Sequence, residues 1–417
     1  MTNNMYNSLL DKIDRKKAKI GLIGIGYVGR AIGEGAARAG YTVIGFGRRN
    51  EPVEHINSKH IKEFTATTHF EDLSSCDIIC SCVPTPVNED KTPDLEPLIS
   101  STKRLANILK KGQLIVIESS IAPGMTRSVV LPILNESGLV PEEDYFLAYS
   151  PERIDPGNPQ FSFSDIPKVV SGYGEQSCQL AYEWYSRIVV SAHKVSSMEA
   201  AEFSKILENT FRLINISLVN ELQIYAEAIG VNMWEVVQAA STKPFAFMPH
   251  YPGPGIGGHC IPVDPHYLRQ DAEQRGIKLS MIEAASNVND NQPKTVAKKS
   301  LSIVNSKKHN GTQPRILLIG ITYKPDVDDL RESPALRIWN YLTKQNAIVD
   351  YHDSHISEYN GKKSIPLSHE VIKSYDLAVI VSNHSNIDYS LLHEAGIPIL
   401  DTRNVYNGSG GSHVYHL

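Results

Sequence analysis

The chain has 417 residues, of which 41% are hydrophobic and 21% charged, and a formal net charge of −5. This length allows two or three domains with separate cores, and the absence of a basic excess argues against a general nucleic-acid binder. No apolar run approaches the ~20 residues of a membrane-crossing helix, and residues 1–19 lack the apolar core of a secretory signal. Five unevenly spaced cysteines do not suggest a disulfide framework. We therefore expect a cytoplasmic protein with no membrane and no nucleic-acid partner.

The first part of the chain alternates between strand patterns and helical patterns. Residues 1–19 are expected to form a short lead-in, an amphipathic helical turn packed on the edge of the domain. A helix is expected over residues 27–39, because Gly40 is a suitable residue just beyond a helix end. The predicted strands are residues 19–24, 41–46, 77–83 and 114–118. Strands that alternate with helices in this way indicate a parallel sheet with crossover helices.

Three glycines stand at the junction of the first strand and the helix, with the spacing Gly24-x-Gly26-x-x-Gly29. Glycines at these positions allow a tight turn and the close approach of a pyrophosphate, which can bind the N–H groups at the helix start. A strand before the motif and a helix after it are the context that the motif requires. We therefore expect dinucleotide binding rather than a glycine-rich turn without function.

The end of the second strand departs from the usual pattern of NAD enzymes. Those enzymes place Asp or Glu there to bind the 2′-hydroxyl of the ribose, whereas this chain has Gly47 followed by Arg48 and Arg49. Two guanidinium groups without a carboxylate suit the 2′-phosphate of NADP. The alternative is that both arginines are solvated and that the chain uses NAD.

The middle of the chain is predicted to be all-helical. Ser196 and Glu199 form a capping box, and an apolar period of 3.6 residues then continues to Ile229, with Gly230 as the stop. One helix of roughly thirty residues fits this stretch. Further helices are expected at about residues 232–240 and 282–303. A long apolar helix usually buries its stripe against a partner, so this region is a candidate dimer interface.

Lys205 and Asn209 lie four residues apart on the long helix and therefore project from one face. Glu202 and Arg212 flank them on nearly the same face. Composition alone would make these four residues a solvated polar stripe. The alternative is catalytic, because a lysine and an amide can polarise an oxygen that becomes negative during a reaction.

A glycine-rich loop at residues 253–264 carries one cysteine, Cys260, and Asp264 four residues later. The adjacent Gly257 and Gly258 let the backbone pass close to a ligand, because no Cβ stands in the way. A cysteine there can attack a carbonyl carbon when its thiolate is stabilised. Together with a dinucleotide site, this nucleophile indicates an oxidation that passes through a covalent thioester.

Two further groups of residues have a plain and a functional interpretation. Glu152 and Arg153 follow a strand in a turn-rich loop, where the carboxyl end of a strand commonly faces a ligand; the alternative is a surface ion pair. Cys76, Cys80 and Cys82 could suggest a metal site, but their surroundings favour a buried strand and no partner His/Cys pair lies nearby. We expect no metal.

A second α/β pattern begins at Arg315, after a polar, turn-rich segment at residues 305–314 that is expected to be a linker. A helix should begin at about Pro334. The tail after Asn407 is rich in glycine and serine and is expected to be disordered. The predicted strands of this part are residues 316–319, 347–351, 377–381 and 397–400.

Motifs spread over nearly the whole chain resemble those of the UDP-glucose/GDP-mannose dehydrogenase family. They are Gly24-Ile-Gly-Tyr-Val-Gly29, Val83-Pro-Thr-Pro86, Glu118-Ser-Ser120 with Pro123-Gly124, Ser150-Pro-Glu-Arg153, Lys205 with Asn209, the Cys260 loop, and Tyr323-Lys-Pro-Asp326 with Arg331-Glu-Ser333. The resemblance implies an α/β fold of two Rossmann-like parallel-sheet domains joined by a central helical dimerisation domain. It places an NAD(P)-binding domain at residues 1–195, the central domain at 196–304 and a C-terminal UDP-sugar-binding domain at 312–417.

The resemblance also implies a reaction. The C6 hydroxyl of a UDP-sugar would be oxidised to an aldehyde, and Cys260 would add to that aldehyde. A second oxidation would leave a thioester, which water would release as the uronic acid, with two NAD reduced per sugar. Lys205 and Asn209 would stabilise the oxyanion, and Asp264 would help to activate the cysteine or the water. Glu152 would serve the acid/base and hydrolysis steps.

The same match implies three sets of site residues. The catalytic residues would be Cys260, Lys205, Asn209, Asp264, Glu152 and Ser120, the last of which falls where the family usually has threonine. The cofactor-binding residues would be Gly24, Gly26, Tyr27, Val28, Gly29, Arg48, Pro84, Thr85, Ser120 and Lys324. The substrate-binding residues would be Glu152, Arg153, Lys205, Asn209, Arg212, Tyr251, Gly255, Gly257, Tyr323, Lys324 and Arg403.

The loops around Arg153 and Cys260 look most like those of the family branch that acts on UDP-N-acetylglucosamine and its isomers. UDP-glucose enzymes usually carry an apolar residue where Arg153 stands, and an arginine there could donate to an acetamido carbonyl. UDP-N-acetylglucosamine is therefore the favoured substrate, ahead of the galacto and manno isomers and UDP-glucose. NAD is favoured as the cofactor, and NADP stays open because the family commonly has Asp at the position of Gly47.

Two functions of other kinds are alternatives. A β-hydroxyacid-type dehydrogenase shares the dinucleotide domain, the long helix and a Lys-x-x-x-Asn pair, but it performs one hydride transfer and needs no cysteine. A non-enzymatic NAD-binding scaffold that dimerises through the helical centre would bind the cofactor without turnover of any UDP-sugar.

Overall fold

The computed structural model describes residues 2–88, 90–155, 157–158, 160–307 and 313–417. The chain forms two compact units, residues 1–208 with 266–277 and residues 209–265 with 278–417. Most of the predicted linker, residues 308–312, lies outside the described residues, while residues 305–307 end a helix. The division into three domains stays a prediction.

The first unit contains one mixed sheet flanked by helices. Its strands are β1 (Lys19–Ile23), β2 (Thr42–Phe46), β3 (Phe64–Thr67), β4 (Ile78–Ser81), β5 (Leu114–Ile117), β6 (Phe146–Tyr149), β7 (Lys168–Gly172) and β8 (Ala192–Lys194). Its first helices are α1 (Thr2–Asp14), α2 (Tyr27–Arg38), α3 (Asn50–Ser58), α4 (Glu96–Ile108), α5 (Leu131–Leu134) and α6 (Glu175–Tyr185). Among the described residues the strand order is β3-β2-β1-β4-β5-β6-β7-β8. β1 to β6 run parallel, and their order is that of doubly wound dinucleotide-binding sheets.

Successive side chains of each strand point to opposite faces of this sheet. Helices pack on both faces. Leu22 and Ile78 belong to a core cluster that includes side chains of α2 and α6. Ile79 and Ile115 belong to a second cluster with α4 and α5. The central strands are therefore apolar on both faces, as a parallel sheet requires, and ligands are left to its carboxyl edge.

The lead-in before β1 is more regular than predicted. α1 is a helix of 13 residues rather than a single turn. Leu9 and Ile13 are fully buried on the core cluster next to α6. The helix therefore contributes to the core of the first unit.

The helical middle consists of α7 (Met198–Ala228), α8 (Met233–Ser241), α9 (Asp264–Gln274) and α10 (Ser280–Lys307). α7 has 31 residues, which confirms the predicted long helix. The predicted cap was wrong by one residue: the Oγ of Ser197, not of Ser196, accepts the N–H of Ala200. α9 was not predicted, because the polar run after Asp264 hides a helix start in which proline occupies the first turn.

The second unit contains an all-parallel sheet. The strands of this unit are β9 (Arg315–Ile319), β10 (Ile348–His352), β11 (Glu358–Tyr359), β12 (Lys362–Lys363), β13 (Leu377–Ile380), β14 (Ile399–Asp401) and β15 (Val414–His416), of which β11 and β12 form a separate antiparallel hairpin. Its helices are α11 (Pro334–Lys344), α12 (His369–Lys373) and α13 (Ser390–Ala395). Within the described range the sheet order is β10-β9-β13-β14-β15. The predicted fold class, parallel α/β sheets with a helical middle region, is confirmed.

The expectation of a disordered tail after Asn407 was wrong. Gly408, Gly410 and Gly411 have positive φ and form a turn, after which β15 pairs in parallel with β14. Composition hid the strand because the glycines and the serines belong only to the turn before it. Throughout the described ranges, no helix combines the length and the apolarity that crossing a membrane requires.

Candidate functional site

The glycine motif after β1 forms the turn into α2. Gly24 has a φ of +94°, and a Cβ on it would lie 2.9 Å from the carbonyl oxygen of Cys82. A Cβ on Gly29 would overlap the carbonyl oxygen of Gly24, so only glycine lets α2 start this close to the strand. A Cβ on Gly26 would meet open space, and no side chain caps the start of α2. These residues fit the pyrophosphate of a dinucleotide, which binds helix N–H groups.

At the end of β2, the carboxylate that NAD enzymes usually place there would have to displace the side chain of Ile25. A Cβ on Gly47 would lie 2.8 Å from the Cδ1 of Ile25 and 3.1 Å from the Cγ2 of Val53. Arg48 and Arg49 are exposed directly after it. Packing therefore explains why glycine stands at this position, and the two arginines are available to a ligand at this edge.

A buried cluster of charged side chains lies beyond the carboxyl ends of β5 and β6. β7 runs antiparallel to β6 and so brings its first residue, Lys168, back to this edge. The Nζ of Lys168 donates to Glu118 Oε2 at 2.5 Å, to Glu152 Oε2 at 2.9 Å and to the carbonyl oxygen of Pro151 at 3.0 Å. The hydroxyl of Tyr185 donates to Glu118 Oε1.

The electrostatics of this cluster follow from its burial. Burial raises the pKa of Glu118 to about 7. Burial alone would lower the pKa of Lys168, but the carboxylates of Glu118 and Glu152 raise it above its usual value. The lysine is therefore charged, and it fixes the Glu152 carboxylate that we predicted as an acid/base group.

The loop after β6 holds Glu152 and Arg153 in defined positions. The Oε1 of Glu152 accepts the backbone N–H groups of Arg153 and Ile154, at 2.6 and 2.7 Å. The guanidinium of Arg153 contacts Glu208 Oε1 at 2.8 Å and donates to the carbonyl oxygen of Pro167 at 3.1 Å. Arg153 thus has protein partners, and a ligand could use only its remaining donors.

Other predicted cofactor residues lie at the same edge of the first sheet. The Oγ1 of Thr85 donates to the carbonyl oxygen of Ser120 at 2.7 Å, which joins the loops after β4 and β5. Ser120 is half-buried, while Pro84 and Tyr27 are exposed and Val28 is half-buried in the first turn of α2.

Glu202 is not part of a solvated polar stripe, which is the interpretation that composition alone favoured for it. Its carboxylate is buried and accepts the backbone N–H groups of Gly124 and Thr126, the latter at 2.9 Å. Burial raises its pKa to about 7. The residue therefore caps the loop after β5, and its place on the helix was misleading because α7 buries this side.

The other polar residues of this stripe differ in their surroundings. The Nδ2 of Asn209 donates to Asp264 Oδ2 at 2.6 Å, and both side chains are buried. Lys205 is half-buried and Arg212 exposed. Within the described residues neither makes a hydrogen bond or an ion pair.

Buried amide side chains of α7 and α10 hold the loop before Cys260. The Oδ1 of Asn220 accepts the N–H of Gly253 at 2.9 Å, and the Nε2 of Gln292 donates to the carbonyl oxygen of the same glycine at 2.8 Å. The Oδ1 of Asn289 accepts the N–H of Ile256 at 2.7 Å. Because buried backbone groups are costly to leave unpaired, these amides fix the loop conformation.

Cys260 stands one helical turn before α9. Its carbonyl oxygen accepts the N–H of Asp264 at 2.8 Å. The N–H of Gly258 donates to the carbonyl oxygen of Arg331 at 3.0 Å, and a Cβ on Gly258 would lie 2.8 Å from the ring of Tyr323. The cysteine loop therefore packs tightly on the segment after β9.

The segment after β9 also packs against the other glycines of the Cys260 loop. A Cβ on Gly257 would lie 2.7 Å from the Cβ of Tyr323 and from the carbonyl oxygen of Glu332. Gly255 has a φ of +122°, which a residue with a side chain rarely adopts. Both glycines are therefore required by the fold of the loop, whatever ligand it binds.

Arg331 supplies positive charge beside this loop. Its guanidinium pairs with Asp329, with 3.0 Å from Nε to Oδ1 and 2.5 Å from Nη2 to Oδ2. The hydrogen bond to Asp329 raises the pKa of Arg331, and Cys260 makes a smaller contribution in the same direction. A fixed cation in this environment favours the thiolate form of a cysteine.

Two other residues predicted to bind the substrate, Arg403 and Tyr251, lie in the second unit. The Nε of Arg403 donates to the carbonyl oxygen of Val381 at 2.7 Å, and its Nη1 lies close to Gly253. Burial lowers the pKa of Arg403 to about 10. Tyr251 stacks on Trp234 of α8, with ring centroids 4.6 Å apart. Arg403 and Tyr323 are thus brought to the cysteine loop.

Sequence reasoning assigned no role to several residues that build these sites. They are Lys168, Asn220, Asn289, Gln292 and Arg331. The lysine opens an apolar strand and the amides sit in helices, so their residue types carry no local signal. Only the pairing of β7 and the packing of α10 show what they contact.

Lys324, which was predicted to bind cofactor and substrate, is half-buried, and its carbonyl oxygen accepts the hydroxyl of Thr322.

A group of potential metal ligands occurs at the carboxyl edge of the second sheet. Asp326, His355 and His384 each place one ligand atom within 4.8 Å of the others. The Nδ1 of His384 accepts the N–H of Asp326 at 2.9 Å, and its Nε2 lies 3.1 Å from Asp353 Oδ2. Both ring nitrogens of the buried histidine are therefore in use, and we assign no ion to this group.

α7 exposes a row of large apolar side chains. They lie three, four or seven residues apart, which places them along one side of the helix, and are Phe203, Leu207, Phe211, Leu218, Leu222 and Tyr225. Contiguous apolar surface of this kind is unusual on a monomeric protein.

Comparison with known proteins gives matches along most of the chain. Three models of the UDP-glucose/GDP-mannose dehydrogenase family match, for the NAD binding domain at residues 58–189, the central domain at 199–291 and the UDP binding domain at 317–408. A UDP-N-acetyl-D-glucosamine 6-dehydrogenase of Pseudomonas aeruginosa is 35% identical over 404 residues, which cover 91% of this chain and 94% of that protein.

Two matches come from Pyrococcus horikoshii. A UDP-N-acetyl-D-mannosamine dehydrogenase is 29% identical over 412 residues, covering 93% of this chain and 96% of that protein. The solved structure of a UDP-D-ManNAc dehydrogenase superposes with a TM-score of 0.87 at 27% identity, covering 95% of this chain and 98% of that chain.

Proposed function

Since the chain belongs to the UDP-glucose/GDP-mannose dehydrogenase family, we propose that it oxidises the C6 hydroxyl of a UDP-N-acetylhexosamine to a uronic acid through a Cys260 thioester. Membership confirms the resemblance seen in the motifs, the NAD-binding domain and the assignment as an NAD-dependent nucleotide-sugar dehydrogenase. The observation that carries the thioester is the Cys260 loop, which buried amides and Tyr323 hold in one conformation beside the cation of Arg331.

The proposed reaction transfers four electrons. The chemistry that NAD supplies when bound is the acceptance of one hydride in each of two oxidations at C6. After the alcohol has become an aldehyde, the Sγ of Cys260 adds to C6 and forms a thiohemiacetal. The second oxidation leaves a thioester. Water cleaves its C6–S bond, which releases the carboxylate and returns the thiol.

Three other groups support this chemistry. Asn209 would donate to the developing oxyanion with the amide hydrogen that Asp264 does not use, and Lys205 would add positive charge. Asp264, held by Asn209, would assist the cysteine or the water. Glu152 would accept and return protons, because Lys168 and its own loop aim its carboxylate.

We favour UDP-N-acetylglucosamine as the substrate. The relative of 35% identity is named for that sugar, and Arg153 keeps donors that could reach an acetamido carbonyl. UDP-N-acetylmannosamine is the second candidate, because relatives with that name match over a similar length. The galacto isomer and UDP-glucose follow. NADP stays an alternative cofactor because Arg48 and Arg49 are exposed after Gly47.

We also propose that the chain forms a homodimer through α7. The exposed row from Phe203 to Tyr225 needs an apolar partner, and a second copy of the same helix provides one. Leu222→Glu should then convert a dimer into a monomer in sedimentation equilibrium, whereas Val190→Glu, at an exposed position away from α7, should not. A monomeric wild type would contradict the proposal.

We also place the enzyme in the cytoplasm, because its five free cysteines suit a reducing compartment.

The test of the reaction is the number of cofactors reduced per sugar consumed. Purified protein is mixed with UDP-N-acetylglucosamine and either NAD or NADP, and then with the manno, galacto and glucose substrates. Two reduced cofactors per sugar, with uronic acid as the product, are expected for the preferred pair. One reduced cofactor per sugar would indicate a β-hydroxyacid-type enzyme, and no reduction with any substrate would favour the scaffold.

Cysteine variants test the thioester directly. Cys260→Ser should lower uronic acid formation on the order of 10³-fold or more, because loss of a nucleophile removes the covalent route. Cys178→Ser is the matched control, since this half-buried thiol of α6 lies outside the proposed site. Full turnover by Cys260→Ser would exclude the thioester while leaving family membership intact.

A further inference from the structure

Two adjacent arginines stand where the chain leaves β2. Gly47, directly after the strand, is buried, whereas the side chains of Arg48 and Arg49 are exposed. Among the described residues neither guanidinium has a hydrogen-bond or ion-pair partner. The two groups therefore place uncompensated positive charge at the carboxyl edge of the first sheet.

The place of these arginines in the fold indicates their ligand. In a doubly wound sheet with a glycine motif after the first strand, the residue at the end of the second strand contacts the 2′ position of the adenosine ribose. β2 pairs in parallel with β1, and Phe46 lies opposite Ile23, so both strands end at the same edge. The residues that follow Phe46 are therefore those that meet the 2′ position of a dinucleotide.

The groups at this position favour a phosphate over a hydroxyl. A carboxylate that accepts a 2′-hydroxyl also repels a 2′-phosphate, and Gly47 leaves the chain without one there. α3 begins at Asn50, and the side chain of Arg49 before it does not cap the helix, so the positive end of the helix dipole adds to the guanidinium charges. Glu51, the first carboxylate after the arginines, offsets only one of their two charges.

Another basic group of this edge is already engaged. The Nε of Arg30, near the start of α2, donates to Glu34 Oε1 at 2.7 Å, and its Nη1 lies 3.4 Å from His55 Nε2. Glu34 neutralises this guanidinium, which joins α2 to α3. The net charge available to an anion thus comes from Arg48 and Arg49.

We propose that Arg48 and Arg49 bind the 2′-phosphate of NADP, so that the first unit accepts NADP as well as NAD. Arginine suits this ligand because its planar guanidinium can donate two parallel hydrogen bonds to phosphate oxygens. The inference rests on the dinucleotide binding of the proposed function and not on the oxidation of the sugar. The match to the family's NAD binding domain begins at residue 58, after both arginines, and does not extend to this edge.

The experiment measures the binding of fragments that contain only the adenosine end of the cofactors. Calorimetry compares adenosine 2′,5′-bisphosphate with adenosine 5′-monophosphate, which lacks the 2′-phosphate, and with adenosine 3′,5′-bisphosphate, which carries the second phosphate elsewhere. The 2′,5′ compound should bind to the wild type about tenfold or more tightly than either of the others, because its phosphate gains charge-assisted hydrogen bonds. Equal affinity for the two bisphosphates would indicate unspecific attraction of negative charge and would overturn the proposal.

Variants assign this preference to the two arginines. The double variant Arg48→Ala, Arg49→Ala should bind the 2′,5′ compound no more tightly than the monophosphate, whose own affinity should stay nearly unchanged. Replacing both by lysine should retain part of the preference, because lysine keeps the charge without the paired donors. Arg38→Ala, at an exposed arginine in the last turn of α2, is the matched control and should keep the full preference. A preference that survives in the double alanine variant would overturn the assignment.

Intact cofactors give a second measurement. In the double alanine variant the affinity for NADP should fall about tenfold or more, while the affinity for NAD stays within about twofold of the wild type. Thermal unfolding without ligand should be nearly unchanged, because both side chains are exposed. Equal losses for NAD and NADP would mean that the arginines do not read the 2′ position.

Fragment binding also separates this inference from the proposed reaction. The fragments contain neither nicotinamide nor sugar, so a 2′-phosphate preference that the double alanine variant loses supports the inference even if the wild type oxidises no UDP-sugar. A wild type that oxidises UDP-sugars with NAD but shows no preference for the 2′-phosphate overturns the inference and leaves the proposed reaction in place.

Discussion

The two large sheets both have a glycine directly after their first strand, but different groups occupy their carboxyl edges. Gly24 after β1 and Gly320 after β9 have φ values of +94° and +74°. In each case a Cβ would press on the backbone at the end of the neighbouring strand, at Cys82 or at Ser382. A glycine is therefore needed at both of these positions.

Beyond that shared glycine the edges diverge. α2 starts at once and has no side-chain cap, whereas α11 starts only at Pro334 and is capped by the Oγ of Ser333, which accepts the N–H of Ala335. His384 and Asp353 fill the second edge with side-chain hydrogen bonds. The first edge is thus suited to phosphate recognition by backbone, whereas side chains bonded to one another occupy the second.

Replacing Gly29, which lets α2 start directly after β1, should have the largest effect. In Gly29→Ala the new Cβ would overlap the carbonyl oxygen of Gly24, so α2 must move away from β1. We expect a loss of about 3 kcal/mol or more in the free energy of unfolding and at least 100-fold weaker NAD binding by calorimetry. Gly26→Ala, with its Cβ in open space, is the control for stability. Equal stability of the two variants would contradict the comparison.

Breaking the second edge should cost somewhat less. His384→Ala leaves the N–H of Asp326 without its acceptor and removes one hydrogen bond from the buried Asp353 carboxylate, which keeps only those from backbone N–H groups. Although burial alone would raise it, the pKa of Asp353 lies below its usual range, because hydrogen bonds including that of His384 favour its charge. We expect about 2–4 kcal/mol of destabilisation in urea unfolding. His369→Ala, at a histidine that lies outside this edge and whose side chain is 43% exposed, should change stability by less than about 0.5 kcal/mol.

Features that repeat locally could be predicted from the sequence. The strands around Gly24, the long helix ending before Gly230 and the second α/β pattern follow from periodicity and from turn residues within a few positions. The Gly24–Gly29 spacing and the Cys260 loop were visible for the same reason, because neighbouring residues define them.

Features that depend on pairing between distant segments could not be predicted. Lys168 reaches Glu118 and Glu152 only because β7 turns antiparallel, and no pattern within β7 indicates that. Glu202 seemed to belong to a polar face because the loop that buries it is distant in sequence. The buried amides around Gly253 and the strand after the glycines of the tail were missed for the same physical reason.

The carboxylate of Glu202, which caps the loop after β5, should make the free energy of unfolding depend on pH. Burial raises the pKa of Glu202 from 4.5 to about 7, so between these values the folded chain binds a proton that the unfolded chain has lost. The free energy of unfolding should therefore fall as pH rises through this window, on the order of 2 kcal/mol. Glu202→Gln should lack that part of the slope. The exposed Glu221→Gln of the same helix should keep it, and equal slopes in the two variants would contradict the assignment.

The smallest effects come from exchanging the helix starts. Ser333→Ala removes the cap of α11 and should cost about 1 kcal/mol, because an N–H group at the helix start loses its acceptor. Gly26→Ser adds such a cap to α2 and should change stability by only a few tenths of a kcal/mol, since glycine and serine differ little at a helix start. The added hydroxyl would nevertheless occupy the space where a pyrophosphate approaches. NAD binding should therefore weaken about tenfold, which corresponds to roughly 1.4 kcal/mol, while thermal unfolding without cofactor stays nearly unchanged. Unchanged NAD affinity in Gly26→Ser would show that NAD binding does not depend on the uncapped start of α2. The contrast between the two sheets would then lie only in Arg48, Arg49 and the packing around Gly47.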